Sequence, residues 1–371
     1  MKVGLITFHN ALNYGAALQV YASQQALKQI GVDCEIINYV NEFRKNAYSM
    51  SYFIKEGVKK GNLKSVLKYS VGSPFMAQRR AKFQSFYKEN LSCTQRLYKS
   101  SSEAEDLNTE YDKFIVGSDQ VWNYKNNGND FAYFLNFVKD NNKKIAYSSS
   151  FGLAEIPENL IGDYKKNLKC IKYLSTRESY GVKLIKEITG KSAELVLDPV
   201  FLLDKYQWKS LCKKQKGDKK YLFCYTNKMS QFDDFISQTG YPLDGVELHK
   251  LTQHLKVSDF LDPKVKVAYT ISPVEFIETI SNAELVVTAS FHCIAISIIL
   301  NKPFIAILTG DQGKDERVLN ILRITGLESR ILSEGMTIDE INKPIDFKEV
   351  DSKLEEYRNK SLNFLRNAIW G

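Results

Sequence analysis

Residues Ala283–Leu308 read AELVVTASFHCIAISIILNKPFIAIL and predict a βαβ unit. The β-branched run Leu285–Thr288 is typical of a strand that is buried on both faces. After a short turn, Cys293–Leu300 is apolar throughout, which predicts a buried helix. Pro303 ends that helix because proline cannot continue it, and Phe304–Leu308 begins a second strand. The unit predicts a parallel α/β sheet around it.

His292 lies where the first of these strands passes into the helix. Ligands of open parallel sheets bind outside the carboxyl ends of the strands, where helix N-termini favour anions. An imidazole at that place can do acid–base chemistry near neutral pH. The alternative is a structural histidine that is buried and hydrogen-bonded to the backbone.

A second βαβ unit begins the chain. Val3–Phe8 predicts a strand, Asn13 is a suitable N-cap for the following helix, and Cys34–Tyr39 predicts the next strand. The small residues Gly15 and Ala16 leave backbone amides open, as at the start of a phosphate-binding unit. The loop lacks both the GxGxxG pattern and the P-loop lysine, so nothing specific to a dinucleotide is encoded.

Length and composition predict an ordinary globular protein of two domains. The chain has 371 residues, of which 44% are hydrophobic and 25% charged. Its net charge of +8 favours anionic partners such as phosphorylated metabolites or an acidic membrane face. The six scattered cysteines show no metal-binding spacing and are typical of free thiols in a reducing compartment. We therefore expect a cytoplasmic protein, at most peripheral at the inner face of a membrane.

The segment 43–99 differs from the rest by its charge. It contains thirteen Lys and Arg residues against two acids, Glu56 and Glu89, with aromatic residues between them. This pattern predicts a helical insertion with one basic face. Such a face is either simply solvated or a surface for anionic lipid or a lipid-linked substrate. No nucleic-acid-binding module is present, and nucleic acid is not expected as a partner.

In the predicted first domain, polar residues follow several of the strands. Gly117–Gln120 follows the strand that ends at Val116, while Arg177 and Glu178 follow a short strand ending in LST.

The chain is predicted to contain two Rossmann-like domains, at 1–204 and at 221–351, and the first carries the basic insertion at about 43–100. A lysine-rich linker at 205–220 joins the two domains, and a C-terminal helix at 352–371 crosses back to the first domain. The predicted architecture is α/β, with two Rossmann-like domains facing a cleft.

Six segments together resemble the polysaccharide pyruvyl transferase family. They are TFHNALNYGAALQ, FIVGSDQVWN, SSSFG, LSTRES, VLDPVFLL and VVTASFH, in family order between Thr7 and Arg330. The resemblance implies a fold similar to that of GT-B glycosyltransferases. It also implies transfer of a pyruvyl group from phosphoenolpyruvate to two hydroxyls of a sugar, which makes a cyclic ketal on a precursor of a surface glycan such as an exopolysaccharide or capsule.

The resemblance carries three functional positions onto this sequence. His292 is expected to act as the acid–base group, Asp119 to orient or deprotonate an acceptor hydroxyl, and Arg177 to bind the phosphate or carboxylate of the donor. Each position has a structural alternative. These alternatives are a buried imidazole for His292, a helix N-cap for Asp119, and for Arg177 a salt bridge to Glu178 or Asp198.

At one position the sequence departs from the family. Many members carry an arginine two residues before the histidine, where this chain has Ser290. The change removes one cation from the expected anion site. Arg317, which follows the glycine-containing loop 310–313, is our prediction for the replacement, with a plain surface charge as the alternative. Lys314 is the other nearby cation, but it offers a point charge rather than a two-pronged contact.

The remaining expectations concern partners and competing functions. Asn13, Gln120, Glu178 and Ser290 are predicted to contact substrate, and neither a metal nor a cofactor is expected besides the donor substrate phosphoenolpyruvate. The acceptor is expected to be a sugar or a lipid-linked oligosaccharide. Two alternatives to pyruvyl transfer stay open: a GT-B-like glycosyltransferase that uses a nucleotide sugar, and a non-catalytic protein that binds glycan or lipid phosphate.

Overall fold

The computed structural model describes residues 1–47, 49–153, 155–212, 221–226, 230–243, 245–251 and 265–371, with the backbone alone at residue 50 and at 64–73. The chain divides into two compact units. Unit 1 comprises Met1–Leu203 and Tyr357–Gly371, and unit 2 comprises Asp204–Glu356.

Unit 1 is built on a six-stranded sheet in which every pairing is parallel. Its strands are β1 (Lys2–Ile6), β2 (Asp33–Ile36), β3 (Lys113–Val116), β4 (Lys144–Ser149), β5 (Tyr173–Thr176) and β6 (Glu194–Leu195). Its helices are α1 (Tyr14–Gln29), α2 (Glu42–Ala47), α3 (Met50–Lys59), α4 (Leu63–Asn90), α5 (Tyr124–Asn127), α6 (Glu158–Lys169) and α7 (Ser179–Thr189). Short 3₁₀ turns lie at Glu105–Thr109, Phe131–Phe134, Asn141–Lys143 and Pro199–Leu202.

The strand order of unit 1 is β2-β1-β3-β4-β5-β6. The order reverses between β1 and β3, which pair in parallel from Val3 with Lys113 to Ile6 with Val116. In doubly wound sheets the crevice at such a switch point is where ligands bind. The loops after β1 and β3, which contain Asn13 and Asp119, therefore start at the favoured edge of this sheet.

Unit 2 contains five parallel strands in the order β11-β10-β7-β8-β9. The strands are β7 (Tyr221–Tyr225), β8 (Glu247–Leu251), β9 (Val265–Val267), β10 (Leu285–Thr288) and β11 (Phe304–Ala306). The helices begun within this unit are α8 (Lys205–Ser210), α9 (Ser230–Thr239), α10 (Pro273–Asn282), α11 (Phe291–Ile299), α12 (Gln312–Thr325), α13 (Ile338–Asn342) and α14 (Phe347–Trp370), with a 3₁₀ turn at Glu328–Arg330. Here the order reverses between β7 and β10, so the loop that contains Ser290 follows a strand of the switch point.

The βαβ unit predicted around His292 is confirmed, with one shift. β10, α11 and β11 occur in that order, and every residue of α11 is buried. The helix begins at Phe291 rather than at Cys293, because the Ser290 side chain caps it by accepting a hydrogen bond from the Cys293 backbone N–H. His292 thus belongs to the first turn of the helix and not to the preceding turn, where the sequence pattern placed it.

Two further helix boundaries differ from the sequence expectation. The sequence predicts a helix at Arg317–Thr325 that Gly326 ends. α12 begins five residues earlier, since the Asp311 side chain caps its N-terminus, and it ends as predicted at Gly326, whose φ of 71° closes the helix. The predicted linker at 205–220 includes α8, which belongs to unit 2, while 213–220 lie outside the described residues. α14 begins at Phe347, before the predicted 352, and its residues from Tyr357 onward are grouped with unit 1.

The basic segment forms helices α2, α3 and α4, but two of its arginines point inward. The Arg44 guanidinium lies 3.8 Å from the ring centre of Phe8, and Arg79 lies 4.9 Å from that of Tyr14. Arg79 also donates a hydrogen bond to the Leu12 carbonyl. Both arginines are buried, so they stabilise the attachment of the helices and do not belong to the predicted basic face.

In the described part of the chain, we find no helix whose length and apolar character would let it cross a membrane. All six cysteines are free thiols, as predicted from their spacing.

Candidate functional site

Asp119 lies in the loop after β3 and has a left-handed backbone conformation. Its φ is 80°, in the left-handed region that non-glycine residues seldom adopt. The conformation is held from both sides: the Asp119 carbonyl accepts from the Ser150 N–H at 3.0 Å, and the Asp119 Oδ1 accepts from the Gln120 N–H at 2.8 Å. Residues held in such conformations concentrate at functional sites. Asp119 does not cap a helix; α5, the next one, is capped by Asn123.

Arg177 follows β5 and contacts protein carboxylates. Its guanidinium forms an ion pair with Asp198 and lies 3.5 Å from Asp119 and 3.9 Å from Glu178. The arginine side chain is only 1% exposed. Burial lowers the pKa of Arg177, but attraction to the three carboxylates outweighs burial and leaves that pKa raised. These contacts correspond to the salt-bridge alternative for Arg177 and leave little of its surface for a substrate anion.

A buried hydrogen-bond network fixes this ion cluster to the rest of unit 1. The Ser118 Oγ donates to Asp198 Oδ2 at 2.9 Å and accepts from Arg177 Nη1 at 3.2 Å. On its other side, Thr7 Oγ1 donates to the Ser118 carbonyl at 2.7 Å. Sequence reasoning assigned no role to Ser118 and named Asp198 only as an alternative salt-bridge partner of Arg177. The available signal was the Asp-Pro pair in VLDPVFLL, which lies directly after the last strand of the sheet.

Glu178 and Gln120 shape the loop after β4. The Glu178 Oε1 accepts from the Phe151 N–H at 2.9 Å, and the carboxylate is buried. Within the described residues, Glu178 Oε2 and the buried Ser150 Oγ have no hydrogen-bond partner. Gln120 packs directly on Gly152: a Cβ at Gly152 would lie 2.4 Å from the Gln120 amide and displace it, and the φ of 56° also favours glycine there. Both predicted contact residues are thus part of the loop's own structure.

The charges of this cluster do not cancel. Asp119, Glu178 and Asp198 bring three carboxylates to one guanidinium, a formal balance of −2. Asp119 is the most exposed of the three, at 17% of its side chain. An acid-rich cluster repels phosphate, whereas its carboxylate oxygens accept hydrogen bonds from hydroxyl groups. The chemistry of the unit 1 cluster therefore suits a polyol better than an anion.

Asn13, the last predicted contact of unit 1, serves as the N-cap of α1. Its side-chain oxygen accepts from the Ala16 N–H at 3.1 Å, which confirms the capping role expected from the sequence.

In unit 2, Ser290 sets the geometry of the loop that precedes His292. The Ser290 N–H donates to Thr288 Oγ1 at 3.0 Å, and Thr288 Oγ1 donates in turn to the Tyr225 carbonyl at 2.6 Å. These bonds join the ends of β10 and β7 on the two sides of the switch point. Ser290 then caps α11, so the residue that replaces the family's arginine has a structural role in starting the helix.

His292, Phe291 and Arg317 come together at the N-terminus of α11. The His292 ring stands edge-on to Phe291 with 5.1 Å between ring centres, and the Arg317 guanidinium lies 5.7 Å from the centre of the same phenyl ring. His292 is 7% exposed and Arg317 is partly exposed. A cation, a titratable ring and the positive end of a nine-residue helix thus share one region of unit 2.

The loop that leads to Arg317 is braced by Asp315. Both carboxylate oxygens of Asp315 accept from the Thr309 N–H, and Oδ2 also accepts from the Gly310 N–H at 2.8 Å. Lys314, the competing cation, forms a 3.0 Å ion pair with Asp311. Of the two predicted cations, Arg317 is therefore the one that contacts a residue of α11, Phe291.

The predicted site residues fall into two groups. Unit 1 carries Asn13, Asp119, Gln120, Arg177 and Glu178, and unit 2 carries Ser290, His292 and Arg317. Among the described residues, no group of three or more His, Cys, Asp or Glu side chains is placed to hold a metal ion.

Comparison with known proteins gives one family and one fold. The family model described as polysaccharide pyruvyl transferase matches residues 13–311. No curated protein matches the sequence significantly. Among solved structures, the chain is similar to UDP-GlcNAc 2-epimerase from Methanocaldococcus jannaschii, with 11% identity, a TM-score of 0.52 and coverage of 100% of both chains. The corresponding epimerase from Neisseria meningitidis has 10% identity and a TM-score of 0.48, with 97% of this chain and 94% of that chain covered.

MurG from Acinetobacter baumannii has 9% identity and a TM-score of 0.45, with 100% of this chain and 99% of that chain covered. At such identities the likeness concerns the fold alone. The predicted fold class, α/β with two Rossmann-like domains, is confirmed.

Proposed function

Because the chain belongs to the polysaccharide pyruvyl transferase family, we propose that it transfers a pyruvyl group from phosphoenolpyruvate to two hydroxyls of one sugar in a surface polysaccharide precursor. The product is a cyclic ketal. Membership in the family makes the chain an enzyme of polysaccharide pyruvylation. The observation that carries the choice of donor is the grouping of His292, Phe291 and Arg317 at the N-terminus of α11.

The reaction moves protons and one phosphate. A proton adds to the methylene carbon of phosphoenolpyruvate and leaves an oxocarbenium-like centre at the neighbouring carbon. One sugar hydroxyl adds to that carbon and loses its proton. The bond from that carbon to the phosphate oxygen then breaks, and hydrogen phosphate leaves. The second hydroxyl adds in its place and loses its proton, which closes the ring.

His292 is the residue that we assign to the proton transfers of the donor. Its ring lies in the first turn of α11, and general acid–base help is typically worth ~10²–10⁴ in rate. The Arg317 guanidinium is assigned to the carboxylate or phosphate, since a planar fork of N–H donors matches both groups. The amides at the start of α11 add a positive partial charge for the same anion.

The unit 1 cluster is assigned to the acceptor sugar. Asp119, its most exposed carboxylate, would accept hydrogen bonds from the sugar hydroxyls and help to remove their protons. Arg177 would act as a positioning residue: it holds Asp119 from 3.5 Å while its own place is set by Asp198 and Ser118. This assignment replaces the donor-binding role that the family resemblance suggests for Arg177.

Ligand protection and labelled transfer test the proposal together. Thermal unfolding is followed with phosphoenolpyruvate, UDP-sugars or inorganic phosphate, since a ligand that binds only the folded state raises the melting temperature. We expect protection by phosphoenolpyruvate and transfer of isotope from labelled phosphoenolpyruvate to a glycan precursor. Protection by a UDP-sugar alone would instead support the glycosyltransferase. Protection by neither class would support a non-catalytic binding protein.

A further inference from the structure

The hairpin of α3 and α4 ends in an exposed tip, Val58–Leu63. Leu63 is 81% exposed and Val58 is 65% exposed, and Leu63 is the most exposed large apolar side chain in the described part of the chain. The four residues between them, two lysines, a glycine and an asparagine, are exposed as well. Exposed apolar side chains at a hairpin tip cost solvation free energy that a fully solvated loop would avoid.

The tip and the helix before it carry positive charge. The stretch 49–64 contains four lysines and one glutamate, so its formal charge is 4 − 1 = +3. Glu56, its single acid, is 3.2 Å from Lys60, its i,i+4 neighbour. Lys55 and Lys59 are exposed on the same helix. The surface is thus basic and apolar at once.

The base of the hairpin is firmly attached to unit 1. In the second half of α4, Phe83 and Phe86 are buried, and the Tyr87 hydroxyl donates to the Ala11 carbonyl at 2.6 Å. Arg79 donates to the Leu12 carbonyl at 3.1 Å. These contacts hold the second half of α4 against the loop after β1, and the tip belongs to the same compact unit.

We propose that the Val58–Leu63 tip docks on an anionic lipid bilayer, with the lysines at the headgroups and Val58 and Leu63 inserted at the start of the acyl region. Lysines near an anionic surface each strengthen binding by roughly fivefold, and inserted apolar side chains add to this. The proposal deepens the proposed function, since it places the enzyme where a lipid-linked acceptor would be met.

A bilayer accounts for both properties of the tip. A nucleic acid would use the lysines but would leave Val58 and Leu63 in water. An anionic membrane offers a counter-charge and an apolar phase a few ångströms apart, so it can contact both the lysines and the exposed apolar side chains of the tip. The charge complementarity therefore favours lipid.

Vesicle co-sedimentation of the full chain tests the docking. The vesicles are pure phosphatidylcholine or equal parts of phosphatidylcholine and phosphatidylglycerol, at low and at high ionic strength. We expect binding to the anionic vesicles only, weakened by salt. Lys59→Gln/Lys60→Gln should weaken it by roughly 25-fold, the product of two lysine contributions. Leu63→Ser should also weaken it, and that loss should persist at high salt.

The matched controls lie on α6 of the same unit. Lys165→Gln/Lys166→Gln removes the same charge from another exposed surface, and Ile161→Ser removes another exposed apolar side chain. Both controls should bind as the unchanged chain does. The proposal would be overturned if the tip and control variants lost binding equally or if neutral vesicles bound the chain as well as anionic ones. It would also be overturned if the chain bound RNA through these lysines and did not bind vesicles. Sedimentation measures vesicle binding and not turnover. His292→Asn should therefore sediment like the unchanged chain, so a failure of the docking proposal can be distinguished from a failure of the proposed reaction.

Discussion

The strand-end clusters of the two units share a topology and differ in charge. Each lies beside the point where the strand order of a parallel sheet reverses. In unit 1 the side chains there are three carboxylates around one buried arginine. In unit 2 they are a histidine, a phenylalanine and an arginine at the N-terminus of a helix. The same edge of the same kind of sheet thus carries three carboxylates in one unit and an arginine beside a helix N-terminus in the other, which suits two different substrates.

The largest expected effect tests the unit 2 cluster. His292→Asn should reduce turnover by ~10²–10⁴ while phosphoenolpyruvate binding stays within about tenfold, because asparagine hydrogen-bonds but cannot exchange a proton near neutral pH. Transfer of labelled pyruvyl and calorimetric titration measure the two quantities. His249→Asn, a change of another histidine of unit 2, should keep its turnover. Near-normal turnover by folded His292→Asn would remove the assignment.

Next in size is the removal of the buried cation of unit 1. Arg177→Met should lower the free energy of unfolding by about 3–5 kcal/mol, since it leaves the buried carboxylates of Asp198 and Glu178 without their counter-charge. Urea denaturation measures the change. Arg366→Met, at an exposed position of α14 in the same unit, should cost at most about 0.5 kcal/mol. A similarly small loss for Arg177→Met would mean that its guanidinium is not needed for the fold and would return it to donor binding.

A smaller effect is expected on donor affinity. Arg317→Ala should weaken phosphoenolpyruvate binding by about 1.5–3 kcal/mol, the range for hydrogen bonds to charged groups. Arg317→Lys should keep only part of the affinity of the unchanged chain, because lysine offers a point charge rather than a two-pronged contact. Calorimetry decides the matter. Arg323→Ala on the same helix, whose side chain is 56% exposed, is the matched control and should bind normally. Unchanged affinity in Arg317→Ala would place the donor cation elsewhere.

The smallest effect is expected at His9, a buried histidine in the loop after β1. Burial lowers the pKa of His9 despite its hydrogen bonds to Asn38 and Thr7. The unfolded state then takes up the proton first, so the free energy of unfolding should fall as the pH drops below about 6.5 and approaches the lowered folded pKa, by at most about 1.4 kcal/mol per pH unit. His9→Gln should flatten this dependence in urea titrations between about pH 7.5 and about pH 5.5. A dependence that is unchanged or steeper would contradict the neutral, structural role of His9.

Local sequence patterns predicted the strands and helices and part of the candidate site. The β-branched runs and the apolar helix after Ser290 can be recognised because burial on all sides leaves continuous apolar runs in the sequence. The strand-end placement of Asp119, Arg177 and His292 follows from the same reading. The helix start was missed by two residues, since the choice of Ser290 as cap depends on bonds that reach across to β7.

The partners of Arg177 were harder to predict than its position. Asp198 lies 21 residues farther along the chain and Ser118 lies 59 residues before it. Such contacts depend on strand order, which no local pattern contains. Sequence reasoning therefore offered a salt bridge for Arg177 only as an alternative, and it assigned no role to Ser118. The contact between Arg317 and Phe291 likewise depends on how α12 packs on α11.

Ser290 supplies a capping oxygen, which an arginine at this position would lack because its guanidinium has no hydrogen-bond acceptor. As cap it determines where α11 begins, and the cation stands on a different helix, in Arg317. In the proposed assignment, a mutation at 317 changes the charge offered to the donor while the helix start remains intact, and a mutation at 290 acts chiefly on the backbone. If Arg317 binds the donor as proposed, donor preference becomes a modular property for protein engineering: position 317 can be varied in a library without rebuilding the loop that holds His292.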